Sequence, residues 1–204
     1  MTDLTEIYQR RALGILGMIL PIIDIGFGLF WCKFLIGINV DNYLFDSISA
    51  THFAPSSLLF EGIVFTTGIF LICYRGYDVK DFWITTVSGI MALLLTLFPT
   101  SAINYDSINF IGLHTNVTQW IHQVSAILFF TGLAFMEICQ FTKTNMEIMT
   151  TKKKIRNVIY RTCGIGMLSI IIICGAINFL FKTSYILYIG EGIGLELFGI
   201  AWLV

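Results

Sequence analysis

The chain has 204 residues, of which 56% are hydrophobic and only 12% are charged, and its mean hydropathy is +0.83. This composition excludes an ordinary soluble globular domain, in which roughly 25% of residues are charged. A formal net charge of -1 also excludes a strongly basic nucleic-acid-binding protein. We therefore expect an integral membrane protein.

Six apolar stretches are long enough to cross a bilayer, which takes roughly 20 predominantly apolar residues for each helix. They fill the chain and predict an all-α bundle that forms one membrane domain over residues 1–204. The predicted spans cover approximately residues 12–34, 57–75, 82–99, 118–140, 158–181 and 186–204. Six crossings place both termini on the same side of the membrane.

The basic residues indicate which side that is. Lys33 and Lys182 are the only two of the 12 Lys and Arg residues that fall on the other side. The side of the termini carries Arg10, Arg11, Arg75, Lys80, Lys143, Lys152, Lys153, Lys154, Arg156 and Arg161. Because basic residues are retained on the cytoplasmic side, we expect cytoplasmic termini and a bacterial inner-membrane location.

The first predicted span places Asp24 on one face with Gly17 and Gly28, and it contains Pro21. An ionisable side chain that faces lipid is costly, whereas small residues allow the backbones of two helices to approach closely. This face is therefore predicted to contact another helix. Pro21 has no backbone donor, so a kink near Asp24 is expected.

The first outer loop, about residues 35–56, contains Ser47, Ser49 and His52 among alternating apolar and polar positions. This alternation indicates a segment that lies on the bundle surface rather than a disordered tether. Serines near a helix start are usually caps, and Ser47 is a candidate cap for a short interfacial helix. The second outer loop, about residues 100–117, contains His114.

Later spans repeat the pairing of an acid with glycine. Glu61 shares a face with Gly68, and Glu196 shares one with Gly192 and Gly199. These faces are also predicted to be helix contacts.

Depth divides the membrane-embedded polar residues into two predicted layers. Counting about 1.5 Å per residue from each predicted helix end places Asp24 and Glu196 near the midplane. The same count places Glu61, His122 and Glu191 roughly 6 to 8 Å below the outer surface, beneath the loop of Ser47, Ser49 and His52. We therefore predict a polar pocket in the outer half of the bundle.

Several chemistries could use such a pocket. Zinc could bind His52, His114 and His122 together with Glu61 or Glu191, although the chain has no His-x-x-x-His pair. A hydrolase or headgroup transferase could use Ser49 as nucleophile and His122 as base, although Gly-x-Ser-x-Gly is absent. In that enzyme Glu191 or Glu61 would orient the histidine.

Two further hypotheses do not require a chemical reaction in the outer polar layer. Ser47, His52 and Lys182 could help His122 and Glu191 to bind a polar lipid. Asp24 and Glu196 could instead serve as proton or cation sites of a transporter, although no inverted repeat is visible. Each polar residue could also be structural, as an interfacial anchor or as part of a carboxyl pair that locks the bundle.

A set of short motifs resembles bacterial six-helix membrane proteins of unknown function. The matching residues are Ser47-Ile48-Ser49-Ala50, Phe60, Gly62, Tyr74-Arg75-Gly76-Tyr77, Leu97-Phe98-Pro99-Thr100, His122, Ala126, Phe129-Phe130, Glu191, Phe198-Gly199 and Trp202-Leu203. That family is distantly similar to the Frag, DRAM and Sfk group, whose members are linked to lipid remodelling and autophagy. The resemblance implies a six-helix, lipid-linked membrane protein.

The chain departs from that pattern where Ser57-Leu58 replace an Arg-Asp pair, and Glu61 could supply the acid one turn deeper. It also resembles ceramidase and adiponectin-receptor-like hydrolases in clustering His and Ser near one face, but it lacks their seventh helix. We expect a protein that binds or senses a membrane lipid, with a lipid enzyme and a transporter as alternatives. A membrane-protein partner or a homo-oligomer is compatible with this expectation.

Overall fold

The computed structural model describes residues 4–30, 34, 47–53, 56–100, 115–144, 149–182 and 185–204. Within these ranges every regular element is helical, which confirms the predicted all-α class for this part of the chain. The elements are α1 (Leu4–Phe30), a 3-10 helix (Ile48–Phe53), α2 (Ser57–Cys73), α3 (Val79–Leu97), α4 (Thr115–Phe135), a π-helical turn (Met136–Gln140) that continues α4, α5 (Thr151–Phe181) and α6 (Ile186–Leu203).

Two helices begin well before the apolar stretches that predicted them. Helix α1 begins at Leu4 rather than near residue 12, and α5 begins at Thr151 rather than near residue 158. The hydroxyl oxygen of Thr150 accepts a hydrogen bond from the Lys153 N–H at 3.3 Å and caps α5. Lys and Arg are good helix formers, so these helices extend through polar sequence beyond their apolar stretches.

The six long helices form a closed ring in which each packs against its neighbours in the chain, and α1 also packs against α6. Glycines permit close approaches between neighbouring helices. A Cβ atom on Gly14 would lie 3.0 Å from the Gly199 carbonyl oxygen, and one on Gly68 would lie 2.9 Å from that of Gly89. Phe198 of α6 covers Gly17 of α1. The predicted contact faces at Gly17, Gly68 and Gly199 are therefore confirmed.

The outside of the bundle is strongly apolar. Leu58, Phe179 and Ile22 are 78%, 83% and 64% exposed, among many other large hydrophobic side chains. Among the described residues, four helical segments are long and apolar enough to cross a membrane: Val79–Leu97, Asn116–Gln140, Thr151–Phe181 and Ile186–Leu203. Helix α2 is also apolar but shorter, at 17 residues. An apolar exterior with such helices is typical of a membrane protein.

The two ends of the bundle differ in chemistry. At one end the Arg10 guanidinium lies 4.3 Å from the centre of the Phe141 ring, whose centre is 5.0 Å from that of Trp202. Lys143 contacts Asp78 and Asp81 at this end, which we call the basic end. The opposite end contains the 3-10 helix, Phe98 and His122, together with the start of α6.

Candidate functional site

A cavity of about 720 Å³ lies between α4, α5, α6 and the 3-10 helix, toward the end opposite the basic end. Its volume is in the range of small-molecule binding sites. The polar residues that the structure describes in its lining are Ser47, Ser49, Thr100, His122, Gln123, Thr131, Asn178 and Glu191. Its larger apolar lining residues are Ile127, Phe130, Leu168, Ile171, Ile172, Phe179 and Leu187.

The cavity opens sideways between α4 and α5. These helices are in tight contact nearer the basic end, where a Cβ atom on Gly164 would lie 3.0 Å from the Ala134 carbonyl oxygen. Farther along they separate, and the cavity occupies the space between them. Three of its lining residues, Ile127, Ile172 and Phe179, are 66%, 67% and 83% exposed on the outer surface of the bundle. Its opening therefore faces the surroundings of the bundle and not only one end.

His122 presents one ring nitrogen that has no partner among the described residues. Its side chain is buried and lines the cavity. The Nδ1 atom lies 2.7 Å from the Phe98 carbonyl oxygen, so Nδ1 carries the proton and donates to it. The Nε2 atom is consequently an acceptor, and it is buried without a hydrogen bond in the described part of the chain. A buried, unsatisfied acceptor is uncommon and marks this position as a binding candidate.

Glu191 holds the 3-10 helix against α6. Its Oε2 atom accepts a hydrogen bond from the Ile48 N–H at 2.7 Å, and the Ser49 N–H also bonds to this carboxylate. The Ser47 hydroxyl oxygen accepts from the Ala50 N–H at 3.1 Å. The prediction that Ser47 caps a short helix is therefore confirmed. Glu191 and Ser47 line the cavity while they fix the segment that carries Ser49.

Asp24 of α1 lies beside the 3-10 helix and is not part of the cavity lining. Asp24 is fully buried, and the side chains of Thr51 and Ser56 lie close enough to interact with its carboxyl group. One turn earlier, the Pro21 carbonyl oxygen accepts a hydrogen bond from the Tyr188 hydroxyl at 3.0 Å. Asp24 therefore lies level with the start of α6.

Glu196 lies at a different level from Asp24. Its neighbours Leu195 and Phe198 pack against Gly17 of α1, seven positions before Asp24, which is about 10 Å along the helix. Asp24 and Glu196, which were predicted to share one midplane layer, are therefore separated in depth. The estimate failed because the predicted first span began too late, at residue 12 instead of Leu4.

Glu61 and His52 form a separate pair outside the cavity lining. The His52 Nδ1 and Glu61 Oε1 atoms are 3.5 Å apart, and the Glu61 side chain is 39% exposed. Burial lowers the pKa of His52, and the Glu61 carboxylate acts in the opposite direction. His52 also lies near enough to His122 to interact with it electrostatically. In the described part of the chain, the shallow polar layer thus divides into two groups: His52 with Glu61, and His122 with Glu191 around the cavity.

The remaining residues that were predicted as ligands are not found in the described lining of the cavity. His114 lies outside the described residues. In the portion of the chain that the structure describes, no three His, Cys, Asp or Glu side chains are grouped so as to hold a metal ion. Lys182 ends α5 in a left-handed conformation with φ 47°, is exposed, and is not part of the cavity lining. The zinc hypothesis therefore gains no support here.

The structure agrees with only part of the geometry that a serine hydrolase requires. Ser49, His122 and Glu191 line one cavity, as the hydrolase hypothesis requires. In a catalytic triad, however, the acid accepts from the histidine Nδ1–H. Here the Nδ1–H group donates a hydrogen bond to the Phe98 carbonyl oxygen instead. The Glu191 carboxylate accepts hydrogen bonds from backbone N–H groups. The cavity therefore contains a serine, a histidine and an acid, but among the described contacts Glu191 is not hydrogen-bonded to His122.

Sequence reasoning missed Gln123 and Asn178, which line the cavity, and Glu137, which lies far from it. Glu137 and Gln140 are fully buried in the π-helical turn, and neither Glu137 oxygen has a hydrogen bond within the described ranges. The sequence did contain a signal for this position, since a carboxyl and an amide side chain lie one turn apart at the end of a long apolar stretch. π-helical turns often occur where a helix serves a function.

No known protein-family model, curated protein or solved structure matches this chain.

Proposed function

We propose that this chain is a six-span membrane protein that binds a lipid in the cavity between α4, α5 and α6. All six long helices cross the membrane, and both termini are cytoplasmic in a bacterial inner membrane. The gathering of Arg10, Lys143 and Lys153 at the basic end supports this orientation, because basic residues mark the cytoplasmic side. The cavity then lies in the outer half of the bilayer.

The observation that carries the lipid proposal is the sideways opening of the cavity. Ile127, Ile172 and Phe179 are exposed where they form its rim, so acyl chains can enter from the bilayer without crossing water. His122 and Glu191 supply polar groups on its inner wall. An apolar opening with a few polar groups inside matches an amphipathic ligand. The motif resemblance to bacterial six-helix proteins of unknown function, which are distantly similar to a lipid-linked group, is a further reason for this proposal.

A cavity-filling variant tests the proposal. Gly175 lines the cavity, and a Cβ atom there would meet nothing within 4 Å, so Gly175→Phe fills the space without a backbone clash. Gly62 of α2 is also open at Cβ but does not line the cavity, which makes Gly62→Phe the matched control. We expect lipid copurified with the wild type, measured by mass spectrometry, to be lost from Gly175→Phe and kept in Gly62→Phe. Equal lipid content in all three proteins would contradict the proposal.

Hydrolysis or headgroup transfer is the second candidate, favoured by the presence of Ser49 and the His122 Nε2 acceptor on one cavity. The Ser49 hydroxyl would attack the carbonyl carbon of a lipid ester while His122 Nε2 takes its proton. That proton would pass to the alcohol oxygen as the ester C–O bond breaks, and water would then hydrolyse the acyl-serine. Labelling by a fluorophosphonate that is lost in Ser49→Ala and in His122→Ala would support it. An unlabelled wild type that retains its lipid would leave binding as the function. Transport has weaker support, because Asp24 and Glu196 lie at different levels.

A further inference from the structure

The polar wall of the cavity offers an acceptor that needs a donor. His122 is 3% exposed, and its Nδ1–H group donates a hydrogen bond to the Phe98 carbonyl oxygen. Its Nε2 atom has no hydrogen bond among the described residues. Leaving such an acceptor unpaired costs free energy, so a ligand that donates a hydrogen bond to it is favoured over one that cannot. A hydroxyl group is a suitable donor.

The charges around the cavity disfavour an anionic ligand. Glu191 is the one charged side chain in the lining that the structure describes, and it is acidic. A phosphate would therefore meet a carboxylate in surroundings of low dielectric constant, where repulsion is strong. Lys182, four positions beyond Asn178, is exposed and outside the lining.

A cationic head group is also poorly matched. The Glu191 carboxylate already accepts from the Ile48 and Ser49 N–H groups. An ammonium group would have to lose its hydration beside a carboxylate whose lone pairs are partly used, and such desolvation is expensive. The other polar lining groups, including Gln123, Thr131 and Asn178, are uncharged amides and hydroxyls. Groups of this kind hydrogen-bond to esters and alcohols without requiring a charge.

From these contacts we infer that the ligand is an uncharged lipid with a hydroxyl-bearing head group, of the diacylglycerol type, whose hydroxyl donates to His122 Nε2. This inference rests on the proposed function and specifies the chemistry of the lipid. The ester groups lie near the amide and hydroxyl side chains, and the acyl chains leave between α4 and α5.

Three lipids with the same acyl chains test the inference. Dioleoylglycerol donates a hydrogen bond, its methyl ether does not, and dioleoyl phosphatidic acid carries a phosphate in place of the hydroxyl. Binding to the full chain in detergent is measured by native mass spectrometry. We expect dioleoylglycerol to bind about tenfold more tightly than the methyl ether, which is the effect of one hydrogen bond to a buried acceptor. Phosphatidic acid should bind more weakly than dioleoylglycerol.

A matched substitution separates recognition from folding. The side-chain amide of Asn can replace Nδ1–H as donor to the Phe98 carbonyl while it lacks an equivalent of Nε2, so His122→Asn keeps the structural bond. In this variant dioleoylglycerol should lose its tenfold advantage while the methyl ether binds as before. Lys182→Ala should change none of the three affinities.

The possible results distinguish this inference from the proposed function. If none of the three lipids binds the wild type, or if Gly175→Phe binds them all normally, the proposed function fails. If the lipids bind but the methyl ether or phosphatidic acid equals dioleoylglycerol, the cavity is a lipid site and the inference about its head group is wrong. A preference for phosphatidic acid that disappears in Lys182→Ala would assign the head group to that lysine.

Discussion

The carboxylate of Glu191 on α6 accepts a hydrogen bond from the backbone N–H of Ile48 at 2.7 Å, across 143 positions of the chain. Ile48 is the first residue of the 3-10 helix, whose N-terminal N–H groups have no partners inside the helix. Glu191 therefore supplies the hydrogen-bond acceptors for this helix start. Through this bond α6 determines where Ser47 and Ser49 stand on the cavity wall.

Removing this acceptor should loosen the 3-10 helix. We expect Glu191→Ala to lower the free energy of unfolding by about 1–3 kcal/mol, because it leaves the Ile48 N–H unpaired. Glu191→Gln keeps an acceptor oxygen and should lose less. Thermal unfolding in detergent measures the stability, and amide hydrogen exchange over Ile48–Phe53 measures the local effect. Identical exchange of this segment in the wild type and in Glu191→Ala would refute the anchoring role.

The glycine contact between α2 and α3 should not tolerate a methyl group. A Cβ atom on Gly68 would lie 2.9 Å from the Gly89 carbonyl oxygen and 3.0 Å from a Leu93 methyl carbon. We expect Gly68→Ala to destabilise the bundle by about 1–3 kcal/mol through overpacking. Gly62→Ala, in the same helix with open space at Cβ, should be neutral or gain up to about 1 kcal/mol in helix propensity. Equal unfolding temperatures for the two variants would rule out close packing at Gly68.

The ion pairs at the basic end predict a pH dependence. Hydrogen bonds from Lys143 lower the pKa of Asp78 below its ordinary 3.8, and Asp78 with Asp81 raises the pKa of Lys143 above its ordinary 10.5. A lowered acid pKa contributes stability above the ordinary value, and that contribution is lost as the pH falls through the folded-state pKa. A raised Lys pKa contributes stability below 10.5, which is lost as the pH rises through the folded-state pKa.

Lys143→Met should therefore reduce the stability most between these two limits. The measurement is the difference in unfolding temperature between the wild type and Lys143→Met as a function of pH. This difference should shrink at both the acidic and the alkaline end of the range. A difference that stays constant with pH would show that Lys143 acts through packing instead of through charge.

Glu137 should reduce the stability of the fold. It is fully buried in the π-helical turn, and its two carboxyl oxygens have no hydrogen bond in the described ranges. We expect Glu137→Met to raise the free energy of unfolding by about 1–3 kcal/mol, because it removes an unsatisfied polar group at similar volume. Glu61→Met, at a partly exposed acid 3.5 Å from His52, should give no such gain. A destabilised Glu137→Met protein would indicate a structural partner for this carboxyl.

The residues that line the cavity can be compared with the shallow polar layer predicted from the sequence. Depth counting along the helices predicted one shallow layer for His122, Glu191 and the loop of Ser49, and these three residues line one cavity. It placed Glu61 in the same layer, but Glu61 is outside the cavity lining, since rise along a helix does not determine the direction in which a side chain points. Glu61 faces His52 and is partly exposed, whereas Glu191 faces the 3-10 helix.

The amino-acid sequence by itself determined the helical class, the apolar exterior and the glycine faces, since these follow from composition and from spacing along a single helix. Only the tertiary structure decided the hydrogen bonds of His122 and Glu191, the burial of Asp24 beside Thr51 and Ser56, and the sideways opening between α4 and α5. These features depend on the rotation and separation of helices that are distant in the chain. Such relations arise only when the bundle is packed, because the partner of a buried polar group is whichever donor or acceptor another helix brings within reach.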